Sequence, residues 1–337
     1  MNILIVLIKV ILGLVVLLGA AAYMTLMERR VLGAIQDRIG PNRVGWQGIL
    51  QPIADGIKVI LKEDIVPAGA DRLVHALAPI IAVFLAMAGI VIIPWGDRLA
   101  FAGRDIPLVI SNVGVLYFLA ASSLAVYGVV LAGWGSANKY SMYGALRSAA
   151  QMISYELAMG LAVAGAVLLW GSLSLVDMVH AQGLGTVKEV VWFVLSLPLL
   201  LVFFIAGLAE TNRAPFDLPE CENELVAGFH TEYSGLKFAM FFLGEYANIV
   251  VISMVTVTLF LGGWKGPGWL GLGNLPAIWF LIKTFALCWL FIWIRGTFPR
   301  FRYDQLMSFG WKFLLPVTLL WVMVVAVVVA FWPSGVA

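Results

Sequence analysis

Apolar runs of about 20 residues recur along the whole sequence, and they constrain the fold more than any other feature. A helix needs about 20 apolar residues to cross the roughly 30 Å hydrocarbon core of a bilayer. The chain has 337 residues, of which 62% are hydrophobic and 12% are charged, and its mean hydropathy is +0.98. Soluble domains are about 45–50% apolar and about 25% charged. Most of this chain must therefore lie in lipid.

Eight of the runs are long enough to span a membrane. The predicted spans are residues 3–27, 76–94, 112–133, 149–170, 190–209, 238–262, 276–294 and 313–332. The first run is longer than the 7–15 residue apolar region of a signal peptide, so we expect it to be retained as a span. We find no tandem repeat and no low-complexity linker. The sequence predicts an all-α integral membrane protein that forms one polytopic domain over residues 1–337.

Positive charge is divided unequally between the two sets of loops. Of the 21 Lys and Arg residues, fifteen follow odd-numbered spans, four lie in the opposite loops, and Lys9 and Lys283 lie inside spans. Loops rich in Lys and Arg stay in the cytoplasm. An even number of spans places both termini on one side. We therefore expect both termini in the periplasm, or in the equivalent outer compartment, and the charged loops in the cytoplasm.

The loop after the first span contains an amphipathic pattern. Its polar residues recur every three or four positions, at Gln47, Gln51, Asp55, Lys58 and Lys62, and isoleucines occupy the other face. This spacing predicts a helix, which is too short to span and is therefore expected to lie in the interface plane. Pro52 indicates that the regular helix begins there. The helix could float on the headgroups or form a wall over an opening into the bundle, and the sequence leaves both possibilities open.

Two glutamates, Glu156 and Glu245, fall inside predicted spans. A charge in such a position costs on the order of 2.5–3.5 kcal/mol even on the most lenient insertion scale. A buried carboxyl group can instead hold a proton and release it when its surroundings change, or it can hydrogen-bond a neighbouring helix. Two such acids favour a proton relay. Lys283 in the seventh run is expected either to extend towards the interface or to pair with a carboxylate.

The segment "ETNRAPFDLPECENE", residues 210–224, concentrates acidic residues in a chain that otherwise contains few. Its carboxylates are Glu210, Asp217, Glu220, Glu222 and Glu224, and Glu232 follows shortly after. Asp217 and Glu220 have the spacing of a helix capping box, which accounts for two of the five. Acids that crowd together in a partly dry loop share protons and titrate as a coupled set. The segment therefore predicts a site that stores and passes protons.

The sequence contains few residues that could hold a redox centre. Two cysteines are too few for a cysteine-ligated iron–sulfur cluster, and the three histidines are scattered, which argues against a bis-histidine haem. The chain has no dinucleotide-binding fingerprint and no metal-spaced Cys/His cluster. We expect this chain to bind no metal, haem or flavin, and no nucleic acid.

Three stretches resemble a known family. They are "ERRVLGAIQDRIGPNRVGWQGILQPIADGIKVILKED", "AETNRAPFDLPECENELVAGFHTEYSG" and "FFLGEYANI". With these stretches the chain resembles the quinone-pocket membrane subunit of respiratory complex I, the family of the H subunit of NADH:quinone oxidoreductase and of NADH dehydrogenase subunit 1. The resemblance covers essentially the whole chain, including its eight spans. Small departures are Cys221 and Asn223 in the acidic motif, and His75 where an aromatic residue is more usual.

The resemblance implies two groups of functional residues. The first would lie at the quinone cavity: Glu28, Arg29, Arg38, Asp55, Lys58, Glu63, Arg147 and Arg213. The second would relay protons: Glu156, Glu210, Asp217, Glu220, Glu222, Glu224, Glu232 and Glu245. In this family the histidine and tyrosine that bind the quinone head belong to a peripheral subunit. This chain would therefore be a subunit of an enzyme but would hold no redox centre itself.

The resemblance also implies a substrate, partners and a membrane. The substrate would be a quinone, ubiquinone in particular. The partners would be peripheral-arm quinone-site and iron–sulfur subunits, small membrane subunits, antiporter-like subunits and membrane lipid. The membrane would be the bacterial inner membrane, with the mitochondrial inner membrane as the alternative.

Two other functions remain open from the sequence. One is the equivalent subunit of a membrane-bound hydrogenase, although the intact "ERR" and "ETNRAPFDLPE" motifs favour the quinone enzyme. The other is a stand-alone proton-coupled transporter. Such transporters commonly contain inverted repeats with matching broken spans, and we see no internal symmetry in this sequence.

Overall fold

The structure is a computed structural model that describes residues 3–96, 98–101, 104–107, 113–183, 187–218, 225–266 and 276–331. Within these ranges, eight helices are long and apolar enough to cross a membrane. This confirms the predicted number of spans and the all-α membrane class.

The helices and the single hairpin of the described ranges follow in chain order. They are α1 (Ile3–Ile35), α2 (Gln51–Leu61), α3 (Arg72–Ala88), β1 (Arg98–Phe101), β2 (Arg104–Pro107), α4 (Gly114–Gly135), α5 (Lys139–Trp170), α6 (Leu175–Ala181), α7 (Val187–Glu210), α8 (Gly235–Phe260), α9 (Pro276–Thr297), α10 (Tyr303–Ser308) and α11 (Leu315–Phe331). A π-helical turn over Phe309–Leu314 joins α10 to α11, so that the two form the last span.

Several helices extend beyond the predicted spans. Helix α1 continues to Ile35, so that Glu28 and Arg29 are helical, and α5 begins at Lys139, ten residues before the predicted start. The prediction was wrong at these ends because hydropathy follows the lipid boundary, whereas a helix can continue into the polar region. The antiparallel β1–β2 hairpin, in which Arg98 is opposite Pro107, was not predicted either.

Helices α5 and α8 lie at the centre of the bundle. Helix α8 packs against α1, α3, α7 and α9, and α5 packs against α4, α7 and α11. Glycine permits one of these close approaches: a Cβ atom at Gly207 of α7 would lie 2.6 Å from Cγ2 of Ile252 in α8. Such small residues allow helix backbones to pack closely in lipid, where no hydrophobic effect drives helices together.

Helix α2 begins one residue before the predicted Pro52 and lies against α1 and α8. Ile53, Ile57 and Ile60 are 56%, 54% and 67% exposed. Asp55 turns the other way, towards α1. Exposed isoleucines on one face and a charge directed at the bundle are what we expect of a helix in the interface plane.

Polar side chains fix the C-terminal end of α8. Lys283 Nζ of α9 donates to the carbonyl oxygens of Leu261, Gly263 and Lys265 at 2.7, 3.1 and 2.7 Å. Trp170 Nε1 donates to the Leu259 carbonyl at 3.0 Å. Lys283 therefore binds backbone carbonyls rather than a carboxylate: one is at the C-cap of α8, where carbonyls carry partial negative charge and lack intrahelical partners, and two are in the turn that follows.

Candidate functional site

The loop after α7 is buried, which is unusual because loops normally lie at the surface. Residues 211–218 are all buried. Gln151 of α5 holds this loop in place: its Nε2 donates to the carbonyl oxygens of Ala209 and Phe216, both at 2.8 Å. The Phe216 ring packs edge-on against Tyr155. The first half of the acid-rich segment is thus inside the protein.

A chain of alternating charges begins in this loop. Arg213 lies between two glutamates, 3.9 Å from Glu28 of α1 and 3.3 Å from Glu245 of α8. Glu28 also forms an ion pair with Arg295 of α9. The Arg213 guanidinium lies 4.4 Å from the ring centroid of Tyr246, within cation–π range. Buried charges are tolerated only when they are paired, and here each charge has an opposite neighbour.

Two carboxyl groups face a small cavity next to this chain. The cavity has a volume of about 50 Å³ and its lining includes Glu210, Asn212, Glu245 and Asn248. A volume above roughly 10–15 Å³ is sufficient for a water molecule. Among the described residues, Asn248 interacts with Glu210, but no donor reaches either Glu210 oxygen with hydrogen-bond geometry. Water in the cavity would supply those bonds.

Glu156 extends the line of carboxyl groups into the bundle. It lies on α5 and accepts a hydrogen bond from the Ser123 hydroxyl of α4. It is also close enough to Glu210 for the two to interact electrostatically. Glu245, Glu210 and Glu156 therefore form a series that leads away from the buried loop.

A larger cavity of about 450 Å³ lies between α1, α2 and α8. Most of its lining is apolar, and its polar members include Arg29, Asp55 and Tyr246. Arg29 Nη1 and Asp55 Oδ2 are 2.6 Å apart, which ties α2 to α1. Helix α2 is thus a wall of an opening into the bundle. Tyr246 lines this cavity, and the Arg213 guanidinium lies over the Tyr246 ring. Tyr246 therefore connects the cavity to the charge chain.

Two further acids of the predicted relay have separate partners. Asp217 Oδ2 lies 2.9 Å from Arg300 Nη2, and the Asp217 side chain is 4% exposed. Glu232 accepts a hydrogen bond of 2.5 Å from Asn138 Nδ2, at the start of α5. Burial raises the pKa of the neighbouring Tyr233 hydroxyl above its ordinary value.

Other predicted residues lie apart from the described lining of the cavity between α1, α2 and α8. The Arg147 guanidinium is 5.8 Å from the Tyr303 ring centroid, and Arg38 donates to Gln36. Lys58 and Glu63 are exposed. Three predicted relay residues lie outside the described ranges: Glu220, Glu222 and Glu224. Glu220 is also one of the two residues of the proposed capping box.

Sequence reasoning missed several members of the site. Arg295 was counted only as a loop charge, although it pairs with Glu28. Tyr246, Asn248 and Ser123 carried no charge that would attract notice. The motif "GEYAN" could have indicated Tyr246 and Asn248 as site residues, because it places them beside an intramembrane glutamate.

Residues 8–326 of this chain match the sequence model of a family described as NADH dehydrogenase. The fold and site define a class: multi-pass membrane proteins in which an open cavity at one end is joined by buried charges to carboxyl groups inside the bundle. Within that class, this chain belongs to the NADH dehydrogenase family, as the resemblance of its motifs predicted.

Named relatives support the same assignment. The chain is 53% identical over 313 residues to the H subunit of NADH-quinone oxidoreductase from Thermomicrobium roseum, covering 90% of each protein. It is 50% identical over 337 residues to the corresponding H subunit, numbered 1, from Geobacter sulfurreducens, covering 96% of this chain and 94% of the relative. The H subunit from Protochlamydia amoebophila is 53% identical over 304 residues, covering 89% of this chain and 90% of the relative. These matches favour a subunit of the quinone enzyme over a hydrogenase subunit or a stand-alone transporter.

Proposed function

We propose that this chain forms the membrane end of the quinone cavity in a proton-translocating NADH:quinone oxidoreductase. It couples quinone reduction to proton translocation through its buried glutamates. The observation that carries this proposal is the double contact of Tyr246, which lines the cavity between α1, α2 and α8 and stacks on Arg213 of the charge chain. A molecule in the cavity would thereby act on buried charges without touching them.

The coupling is electrostatic. A doubly reduced quinone carries negative charge until protons neutralise it. Coulomb coupling at about 10 Å with an effective dielectric near 20 amounts to roughly 1.7 kcal/mol, which is more than one pKa unit. Arg213 lies between Glu28 and Glu245, and the negative quinone would attract its guanidinium. Arg213 would then bind Glu245 less strongly. Glu245, Glu210 and Glu156 would then exchange protons, with water in the small cavity between the first two.

The remaining predicted residues take supporting roles in this proposal. Arg29 and Asp55 fix the wall of the cavity, and Arg38, Lys58, Glu63 and Arg147 supply charge on the same side of the membrane. Asp217, Glu220, Glu222, Glu224 and Glu232 would store protons close to the loop. The substrate would be ubiquinone, and the partners would be the peripheral-arm, small membrane and antiporter-like subunits of the complex.

A cavity-filling substitution tests the proposed quinone site. Ala22 lines the cavity between α1, α2 and α8, and Ala20 lies on the other side of α1, away from this cavity. Ala22→Phe should raise the KM for quinone at least several-fold, because the new ring occupies the space of the substrate. NADH oxidation by a hydrophilic artificial acceptor should not change. Ala20→Phe should leave both activities at the wild-type level, and an equal response of the two variants would contradict the proposal.

The proposed orientation places both termini in the periplasm of a bacterial inner membrane. Single cysteines test it at two exposed positions, Asp304 of α10 and Asp177 of α6. In intact cells an impermeant thiol reagent should label Asp177→Cys and spare Asp304→Cys. The reverse pattern would invert the orientation and place the quinone cavity on the wrong side of the membrane.

A further inference from the structure

Helices α1, α8 and α9 enclose a second cavity, of about 650 Å³, which we name the lipid groove. Its lining on α1 extends from Val16 to Val31, and α9 contributes residues that include Thr284 and Cys288. It lies on the face of α1 opposite the quinone cavity. The Thr284 hydroxyl donates to the Phe280 carbonyl inside its own helix, so it does not serve the groove. Arg30 is the only charged residue in the described lining.

The dimensions of the groove match a lipid chain. From Val16 to Arg30 an α-helix rises about 21 Å, and one leaflet of the hydrocarbon core is roughly 15 Å thick. The groove thus reaches from the charged end of α1 past the depth of one leaflet. A cavity of about 650 Å³ has room for a hydrocarbon chain.

The charge at its mouth selects the headgroup. Arg30 donates to the Gln47 carbonyl oxygen, which anchors the guanidinium beside the end of the groove. A guanidinium has five N–H donors in a planar fork, so the N–H groups that do not contact Gln47 can face a phosphate. Arginine binds phosphate through paired, charge-assisted hydrogen bonds. A zwitterionic headgroup has the same phosphate but also carries a cation that offsets the phosphate charge, so an anionic headgroup gains more from Arg30.

We propose that the lipid groove binds one anionic phospholipid, with an acyl chain along α1 and the phosphate against Arg30. The lipid would fill the space between α1 and α9, which supply Glu28 and Arg295 of the charge chain. This site is separate from the quinone cavity and does not depend on the proposed coupling function.

Lipid binding to the purified full-length chain in detergent tests the headgroup. Native mass spectrometry would compare dioleoyl phosphatidylglycerol with dioleoyl phosphatidylcholine, which has the same chains but no net charge. The wild-type chain should bind the anionic lipid about tenfold more tightly, because the choline cation of the other lipid offsets the attraction between its phosphate and Arg30. Arg30→Gln should reduce that affinity to the level of the zwitterionic lipid. Arg43→Gln, an exposed loop arginine outside the groove, should not change it.

Tyr23 tests the location, because it lines the groove and is 47% exposed. In a variant that combines Tyr23→Cys with Cys221→Ser and Cys288→Ser, the introduced thiol is the only one of the chain, and dioleoyl phosphatidylglycerol should slow its alkylation by N-ethylmaleimide several-fold. Ala20→Phe fills the groove but keeps Arg30, and it should abolish the preference for the anionic lipid.

Several results would overturn the proposal. Equal wild-type affinity for the two lipids, or tight phosphatidylglycerol binding by Arg30→Gln, would remove the anionic site. Unchanged alkylation of the Tyr23→Cys thiol would place the lipid elsewhere. Equal protection by ubiquinone would make the groove a site for a neutral isoprenoid chain. Protection that grows with protein concentration in the absence of lipid would make it a contact between copies of the chain.

Discussion

Two cations from neighbouring segments contact α8 or the turn after it, partly buried Lys283 and buried Arg213, and they bind different partners. At the C-terminal end, Lys283 donates to three backbone carbonyls, which cannot change their protonation. Near the other end, Arg213 lies between Glu28 and Glu245, beside a cavity that can admit water. Carboxylates can accept protons and water can carry them, whereas amide carbonyls do neither.

From this difference we predict which charges are functional. Ionisable residues inside a membrane are usually taken as candidates for a functional site. In this chain the type of partner separates the two cases: the carbonyl-bound lysine holds a helix end in place, whereas the arginine between carboxylates can shift its strongest contact from one to the other. The following substitutions test that distinction.

The largest effect is expected from Glu245→Gln. This change keeps the size of the side chain but removes the charge that faces Arg213 at 3.3 Å. A unit charge at 4 Å contributes about 4 kcal/mol at an effective dielectric of 20, so quinone-linked turnover should fall at least about tenfold, which corresponds to about 1.4 kcal/mol in the barrier. NADH oxidation by a hydrophilic acceptor, measured on the same membranes, should not change.

Asp177→Asn is the matched control for Glu245→Gln, because Asp177 is an exposed acid of α6, a helix that contacts the turn after the C-terminal end of α8. It should retain wild-type turnover with both acceptors. If both substitutions lowered turnover equally, the loss could not be assigned to the buried chain.

Lys283→Met should affect stability rather than turnover. The substitution leaves three carbonyls at the end of α8 without their shared donor, which should cost about 2–4 kcal/mol. The thermal midpoint of the solubilised chain should drop, while turnover per assembled complex stays near wild type. Lys62→Met, at an exposed lysine after α2, should change neither quantity. A tenfold loss of turnover in Lys283→Met would remove the distinction between the two ends.

The smallest effect is expected from Asp55→Asn at the cavity wall. The Arg29 and Asp55 side chains are 51% and 35% exposed, and ion pairs with such exposure contribute about 0–1 kcal/mol. The KM for quinone should rise about two- to threefold, with little change at saturating quinone. Asp64→Asn, which removes a comparable pair with Lys237, should leave the KM unchanged. A tenfold loss of maximal turnover in Asp55→Asn would move this pair into the charge chain.

The sequence predicted those parts of the molecule that lipid dictates. Apolar runs predicted eight spans because lipid requires them, and helical spacing predicted α2. Glu245 and Glu156 attracted notice because charge is expensive in that environment. Hydropathy could not predict where helices end in water, so the extension of α1 to Ile35 was missed.

The partners of the charges could not be predicted from the sequence. Arg295 and Glu28 lie at opposite ends of the chain and meet only because α1 packs against α9. Lys283 could have bound a carboxylate, and only the position of the α8 end beside α9 explains why it binds carbonyls. Side-chain pairing across helices depends on packing, which periodicity does not contain.

Infrared difference spectroscopy of the intact complex tests the central claim most directly, because it detects carboxyl groups that gain or lose protons as quinone is reduced. The account predicts a change in the C=O stretching region of protonated carboxyl groups in the wild type. That change should be lost or shifted in Glu210→Gln, whose carboxyl group faces the small cavity, and retained in Asp177→Asn. An unaltered difference spectrum in Glu210→Gln would show that the buried carboxyl groups do not respond to quinone reduction, and would contradict the account.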